Sequence, residues 1–176
     1  MDMAAARTTE SMRGNEPMRR RVILVLLAAV GVAAVVLATT SWSRTAAAAD
    51  HDARRTAILA AARQQAVNFT TLDYRHLDRD LGRVLHGSTG DFRKQFRAGT
   101  DDLTSLVTQN KATSEGEVLD AGIVSDDADS ARVLVVADST VTNSADAKPT
   151  KRHYRMQLDL VRHGSRWLVS DLQFVG

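Results

Sequence analysis

Three regimes of hydrophobic patterning follow one another along the chain. The first is Val22 to Ala38, 17 residues without a charge or strong polar group. At ~1.5 Å per residue a helix of this run is about 26 Å long, and its extension to Trp42 reaches the ~30 Å of a bilayer core. Arg19, Arg20 and Arg21 abut one end, while Trp42 and Arg44 stand at the other. This arrangement predicts a single membrane span over 19–42, with the N-terminus cytoplasmic and the rest outside. The small residues Thr45 to Ala49 resemble a signal-peptidase site. Because a signal h-region is usually only ~7–15 residues, the retained anchor is the preferred reading.

The second regime has helical spacing. Residues 45–70 are Ala-rich, with Ile58, Ala62, Ala66 or Gln65, Phe69 and Leu72 recurring every three or four positions. Thr45 to Arg55 carries almost no large apolar group and reads as a solvated stalk. Asp73 is expected to cap a second helix with Leu77, Leu81, Val84 and Leu85 on one face, ended by Gly87 to Gly90. Ser88 or Thr89 then caps a third, with Phe92, Phe96, Leu103, Leu106 and Val107 inward and a break at Gly99.

After Ala112 the period drops to two. Glu117 to Val124, Ala131 to Val141, Lys151 to Arg162 and Arg166 to Val175 read as strands separated by polar turns. Tyr154, Met156, Leu158 and Leu160 share one face, opposite Arg155, Gln157 and Asp159. The expected fold class is α+β: one N-terminal transmembrane helix, then three helices packed on a curved antiparallel sheet of about four strands. The expected divisions are a disordered cytoplasmic tail (1–18), the anchor (19–42), a helical stalk (43–57) and the folded domain (58–176).

Charge changes this picture little. Five arginines against three acids precede Ser41, and the 18 basic and 18 acidic residues beyond it cancel. The net +2 thus belongs to the tail and membrane flank, and no nucleic-acid partner is expected. The absence of cysteine excludes disulfides, thiolate metal sites and a cysteine nucleophile.

Candidate chemistry is sparse. A curved sheet can close partway into a cone, and a proton-transfer site inside such a cone needs a base and an oxyanion donor that converge. The residues available are Asp73, Tyr74 and His76 near a helix corner, and Asp138, Tyr154, Asp159 and Asp171 on strands. Strand phase turns Asp159 outward; Asp171 follows Trp167 and Val169 at period two, so it points inward unless a bulge intervenes. Histidines 51, 76, 86, 153 and 163 show no ligand spacing, and Asp126, Asp127 and Asp129 lack the glycine and distal glutamate of a calcium loop. No catalytic, cofactor-binding or metal-ligating residue is assigned, and no enzyme activity is expected.

The residues also carry a resemblance. The basic-flanked span, Phe69-Thr-Thr-Leu-Asp-Tyr74, Leu77-Asp-Arg-Asp-Leu81, Ser88-Thr-Gly-Asp-Phe92 with Phe96, Arg132-Val-Leu-Val135, Tyr154-Arg-Met156 and Trp167-Leu-Val-Ser-Asp-Leu172 follow in this order. Together they resemble the actinobacterial Mce-associated membrane proteins, accessory partners of mammalian cell entry (Mce) lipid importers, whose outward domain is nuclear transport factor 2-like. The resemblance implies a non-enzymatic, stabilising subunit of such an importer at the plasma membrane, with Mce-type subunits as partners and room for a lipid in the cone. It implies no active-site residues. Phe92 and Phe96 are then core, Trp167 anchors the sheet on a helix, Gly90 supplies a backbone conformation, and Thr71 and Asp73 bind nearby amides. The docking edge is expected at Glu117 to Val124 or Arg166 to Val175. The alternatives are a scaffold of a type IV secretion-like machine, which shares the layout of tail, span and cone, and a lipid-binding or isomerase-like enzyme.

Overall fold

The computed structural model describes residues 49–145 and 148–175. The expected tail, membrane span and first residues of the stalk lie outside the described residues. Among the described residues no helix is long and apolar enough to cross a membrane. The chain divides after Asp50, and the unit from His51 onward carries the fold described below.

Helix α1 covers residues 49–70. Its Ile58, Ala62 and Ala66 are fully buried, as their four-residue spacing predicts, and Gln65 is buried beside them. Thr70 folds its hydroxyl back onto the Ala66 carbonyl, and the Ser139 hydroxyl donates to the Thr70 carbonyl, so one of the last orphan acceptors finds a partner. The helix stops there. Leu72, expected on its apolar face, instead opens strand β1 (Leu72–Asp73), which pairs antiparallel with Thr113 and Ser114.

Helix α2 (Leu77–His86) starts three residues later than an Asp73 cap would place it, after His76, with no side-chain cap. The Asp73 carboxylate is occupied otherwise, accepting from the backbone amide and guanidinium of Arg75. Helices α3 (Gly90–Ala98) and α4 (Thr100–Gln109) are separated at Gly99, as the sequence suggests. Gly90 has φ +58°, the left-handed conformation that glycine adopts without steric penalty. Leu106 is 60% exposed, contrary to its expected inward position. Leu103 and Val107, one turn apart, take the inner face and leave Leu106 on the flank.

Strands β2 (Thr113–Asp126), β3 (Ser130–Thr142), β4 (Thr150–His163) and β5 (Arg166–Phe174) form an antiparallel meander in the order β1-β2-β3-β4-β5. Strands β2, β3 and β4 run longer than the pattern alone predicts, because polar ends such as Thr113 to Gly116 still pair with a neighbour, while β5 stops one residue short of Val175. Register shifts at Leu119, at Val124 and at Ser170 mark bulges, which bend a sheet and increase its twist. The inner face presents Val133, Val135 and Ala137 from β3, Met156, Leu158 and Leu160 from β4, and Trp167 and Val169 from β5 to α1. Trp167 thus anchors the sheet on a helix. A smaller cluster of Leu77, Leu81 and Val107 sits under β1. The half-buried rings of Phe69, Phe92 and Phe96 connect the two, with centroids 6.0–6.5 Å apart.

Candidate functional site

The acidic and aromatic residues considered for a proton-transfer site are dispersed, each with its own partner. Asp73 binds Arg75, with His76 Nδ1 at 3.3 Å, and these contacts hold its carboxyl well below the usual range. Asp138 lies 2.7 Å from His153 Nδ1. Asp159 is held by both arms of Arg132 (2.7 and 2.8 Å), which lowers its carboxyl pKa. Asp171 does not point inward. The bulge at Ser170 reverses the phase after Val169, so Leu172 reaches the core and Asp171 lies across from Asp159. Among the described residues no group of three His, Asp or Glu is placed to hold a metal ion.

Among the described residues two recesses beside the helices stand out. The first, about 380 Å³, lies between α4 and the sheet and is lined by Phe69, Leu103, Leu106, Val107, Val141 and Tyr154. Its polar neighbours are satisfied internally: Thr113 Oγ1 bonds Thr142 Oγ1, and Ser114 Oγ accepts from the Leu72 amide. It therefore offers little except apolar contact.

The second recess is built differently. A groove of about 540 Å³ runs between α1, α2 and the start of β5, with Arg79, Arg83 and Arg166 along it, Trp167 and Ala61 as apolar wall, and His86 at its side. Among the described residues no carboxylate lines it. The floor is a buried polar network. Gln65, 2% exposed, donates its amide to the Val84 carbonyl and to Ser88 Oγ, both at 2.9 Å. Its Oε1 stands 2.0 Å from where a Cβ on Gly87 would lie, so only a glycine fits against it.

Beneath the groove Asp80 is fully buried. Its Oδ2 accepts from the Asp73 amide at 2.9 Å, and its Oδ1 meets Arg79 Nε at 2.9 Å and Arg83 Nη2 at 3.0 Å. One carboxylate thereby holds two guanidiniums side by side. Arg83 Nε is buried without a partner, and Arg166 spends one N–H on the His86 carbonyl. Gly82, in the middle of α2, has nothing within 4 Å of the Cβ it lacks. A glycine there costs about 1 kcal/mol of helix stability relative to alanine, and packing inside the domain gives no reason for it.

Sequence reasoning missed this groove. Its signals were the Arg79/Arg83 and Gln64/Asn68 pairs at i,i+4 and the mid-helix Gly82, which gain meaning only when Arg166 is brought in from more than 80 residues away.

The two expected edges differ. β5 is closed at its centre, where the Thr89 amide donates to the Val169 carbonyl (2.8 Å) and the Val169 amide to the Gly87 carbonyl (2.9 Å). β2 pairs with β1 only at Thr113 and Ser114, so among the described residues no strand covers that side from Glu117 onward. Leu119 and Val124, the bulged residues of this edge, are exposed, as are Leu134 and Val136 on the outer face of β3. At the far end of β2, Asp126 is buried and tied to Arg55, with Arg54 and His51 close by. The start of α1 is thereby pinned to the β2–β3 hairpin.

A family described as uncharacterized protein Rv1363c/MT1408-like matches over residues 18–176. The uncharacterized protein Rv1363c of Mycobacterium tuberculosis is 38% identical over 122 residues, which is 69% of this chain but 47% of that protein. The chain thus matches about half the length of that relative. Among solved structures, an IcmL-like type IV secretion system protein of Legionella pneumophila superposes with a TM-score of 0.57 at 12% identity, covering 69% of this chain and 91% of the other. The periplasmic domain of DotI gives 0.58 at 15% (68% and 94%). VirB8 of Agrobacterium tumefaciens gives 0.54 at 9% (68% and 90%). At such identities the likeness is one of fold: helices on a curled antiparallel sheet.

Proposed function

The chain belongs to the Rv1363c/MT1408-like family, and we propose that it works as a non-enzymatic accessory subunit of a multi-protein assembly in the cell envelope. In this reading residues 19–42 anchor it, residues 43–57 hold the domain off the bilayer, and the outward domain docks on an Mce-type lipid importer. The observation that carries the docking role is the open, partly apolar side of the sheet: the uncovered edge of β2 with Leu119 and Val124, continued by Leu134 and Val136. Uncovered edges and exposed apolar rows are places where a second protein gains main-chain bonds and apolar burial. The dispersal of Asp73, Asp138, Asp159 and Asp171 into separate pairs supports the non-enzymatic part.

A second reading, a scaffold of a type IV secretion-like machine, is supported by the likeness of fold to DotI and VirB8. Gentle-detergent purification of the full-length chain from its native membrane, followed by mass spectrometry of proteins and lipids, separates the two. Mce and permease subunits are expected. Secretion components in their place favour the scaffold, and recovery of the chain alone removes both. A stoichiometric lipid on the purified chain would make it a lipid carrier as well.

A further inference from the structure

The groove between α1, α2 and β5 has no part in that docking role, and its chemistry is specific. Three guanidiniums face it, and the nearest carboxylate, Asp80, lies beneath it with contacts from two of them. Each guanidinium has five N–H donors, so Asp80 leaves most of them unused, and the site keeps an excess of positive charge. The orphan Arg83 Nε shows that even the buried donors are not fully matched by the protein itself. Gly82 lines the groove at the expense of its own helix, and its Cβ position meets no protein atom. Trp167 and Ala61 supply an apolar wall beside this charge. The volume, about 540 Å³, lies within the range of small-ligand sites.

We propose that this groove binds a phosphate group, free or as a lipid headgroup, with Arg79, Arg83 and Arg166 as its counter-charges and Trp167 flanking its carbon portion. Planar guanidinium forks suit phosphate oxygens, and Asp80 acts as the positioning residue that aligns two of them.

The test uses the full-length chain in a neutral detergent, with Trp42→Phe so that Trp167 is the sole tryptophan and can be excited selectively. Inorganic phosphate, dihexanoyl phosphatidic acid and dihexanoyl phosphatidylcholine are titrated separately while Trp167 emission is followed. A saturable change with phosphatidic acid and none with phosphatidylcholine is expected. Arg166→Ala should weaken binding about tenfold, the loss of one charge-assisted contact, and Gly82→Phe, which puts a ring where no protein atom stands, should weaken it at least as much by occluding the site. Thermal melts establish that both variants are folded, and Gly82→Phe decides the matter if Arg166→Ala is not. Inorganic phosphate that binds and competes identifies the oxyanion itself as the recognised group; phosphatidic acid alone identifies the lipid headgroup. No saturable response to either, equal binding of phosphatidylcholine, or affinities unchanged in Gly82→Phe overturns the proposal. No partner protein enters this assay, so its failure and the failure of the docking role are separable.

Discussion

Three glycines show how differently one residue type is constrained. At Gly87 a Cβ would stand 2.0 Å from Gln65 Oε1 and 2.9 Å from its Cδ. Gln65 is buried and bonded at its amide, so it has little room to move. Gly87→Ala should lower stability by roughly 1–3 kcal/mol, the range for disturbing a buried hydrogen-bonded group. At Gly116 the obstacle is stiffer: Thr70 Cβ at 2.6 Å and its backbone carbon at 3.1 Å, so Gly116→Ala should cost at least as much. Gly82→Ala meets nothing and should raise stability by about 0.5–1 kcal/mol. Urea denaturation of the three variants reads all of these, and a stabilised Gly87→Ala would refute the packing described around Gln65. Asp80 makes a fourth case at the same scale. Its loss removes the acceptor for the Asp73 amide and the partner of two arginines, but those arginines are half-exposed and can turn to water. Asp80→Ala should therefore cost about 1–3 kcal/mol rather than the 3–5 of a fully buried pair.

At the scale of elements, what the sequence reveals depends on whether periodicity alone decides the outcome. Helix α1's buried Ile58, Ala62 and Ala66 and the alternation of Met156, Leu158 and Leu160 are written in the spacing, since each element lays one face on a single core. Asp171 and Leu72 were misplaced because their positions follow from a bulge and from a two-residue strand, features set by pairing with distant residues. Asp73 was misassigned as a cap for a similar reason: Arg75 and His76 compete for its carboxylate. That competition leads to a pH prediction. Asp73 and Asp159 have folded-state carboxyls depressed by their arginine partners, so the unfolded chain binds more protons than the folded one just below the ordinary carboxylate pKa of ~3.9. The stability they contribute is present above about pH 4 and is lost as the pH falls through their folded values. Thermal melts between about pH 2 and 6 should show this acid limb, made shallow by solvent screening. Arg132→Gln, which frees Asp159, should flatten it. An acid limb unchanged in that variant would mean that the pair does not contribute.

For the whole molecule, the two sides of the sheet have separate tasks. The inner face of β3 and β4 is spent on α1, while the outer face and the β2 edge carry exposed apolar groups that the domain does not itself cover. Leu134 and Val136 stand two residues apart on the same strand, both outward, opposite Gln157 and Arg155 of β4. Glutamate at both positions adds two charges to a face that already carries Arg155, without entering the core. The double variant Leu134→Glu/Val136→Glu should keep its unfolding free energy within about 1 kcal/mol of the parent, as expected for surface changes of about ±0.5 kcal/mol each. If this face docks a partner, desolvating two carboxylates against apolar contacts opposes the interface strongly. The variant should then insert in the membrane as the parent does yet lose its co-purifying subunits. Full recovery of those subunits at unchanged stability would exclude this face and move the docking role elsewhere on the domain. Loss of the subunits with the phosphate titration of Trp167 intact would instead show that the sheet face and the arginine groove act independently.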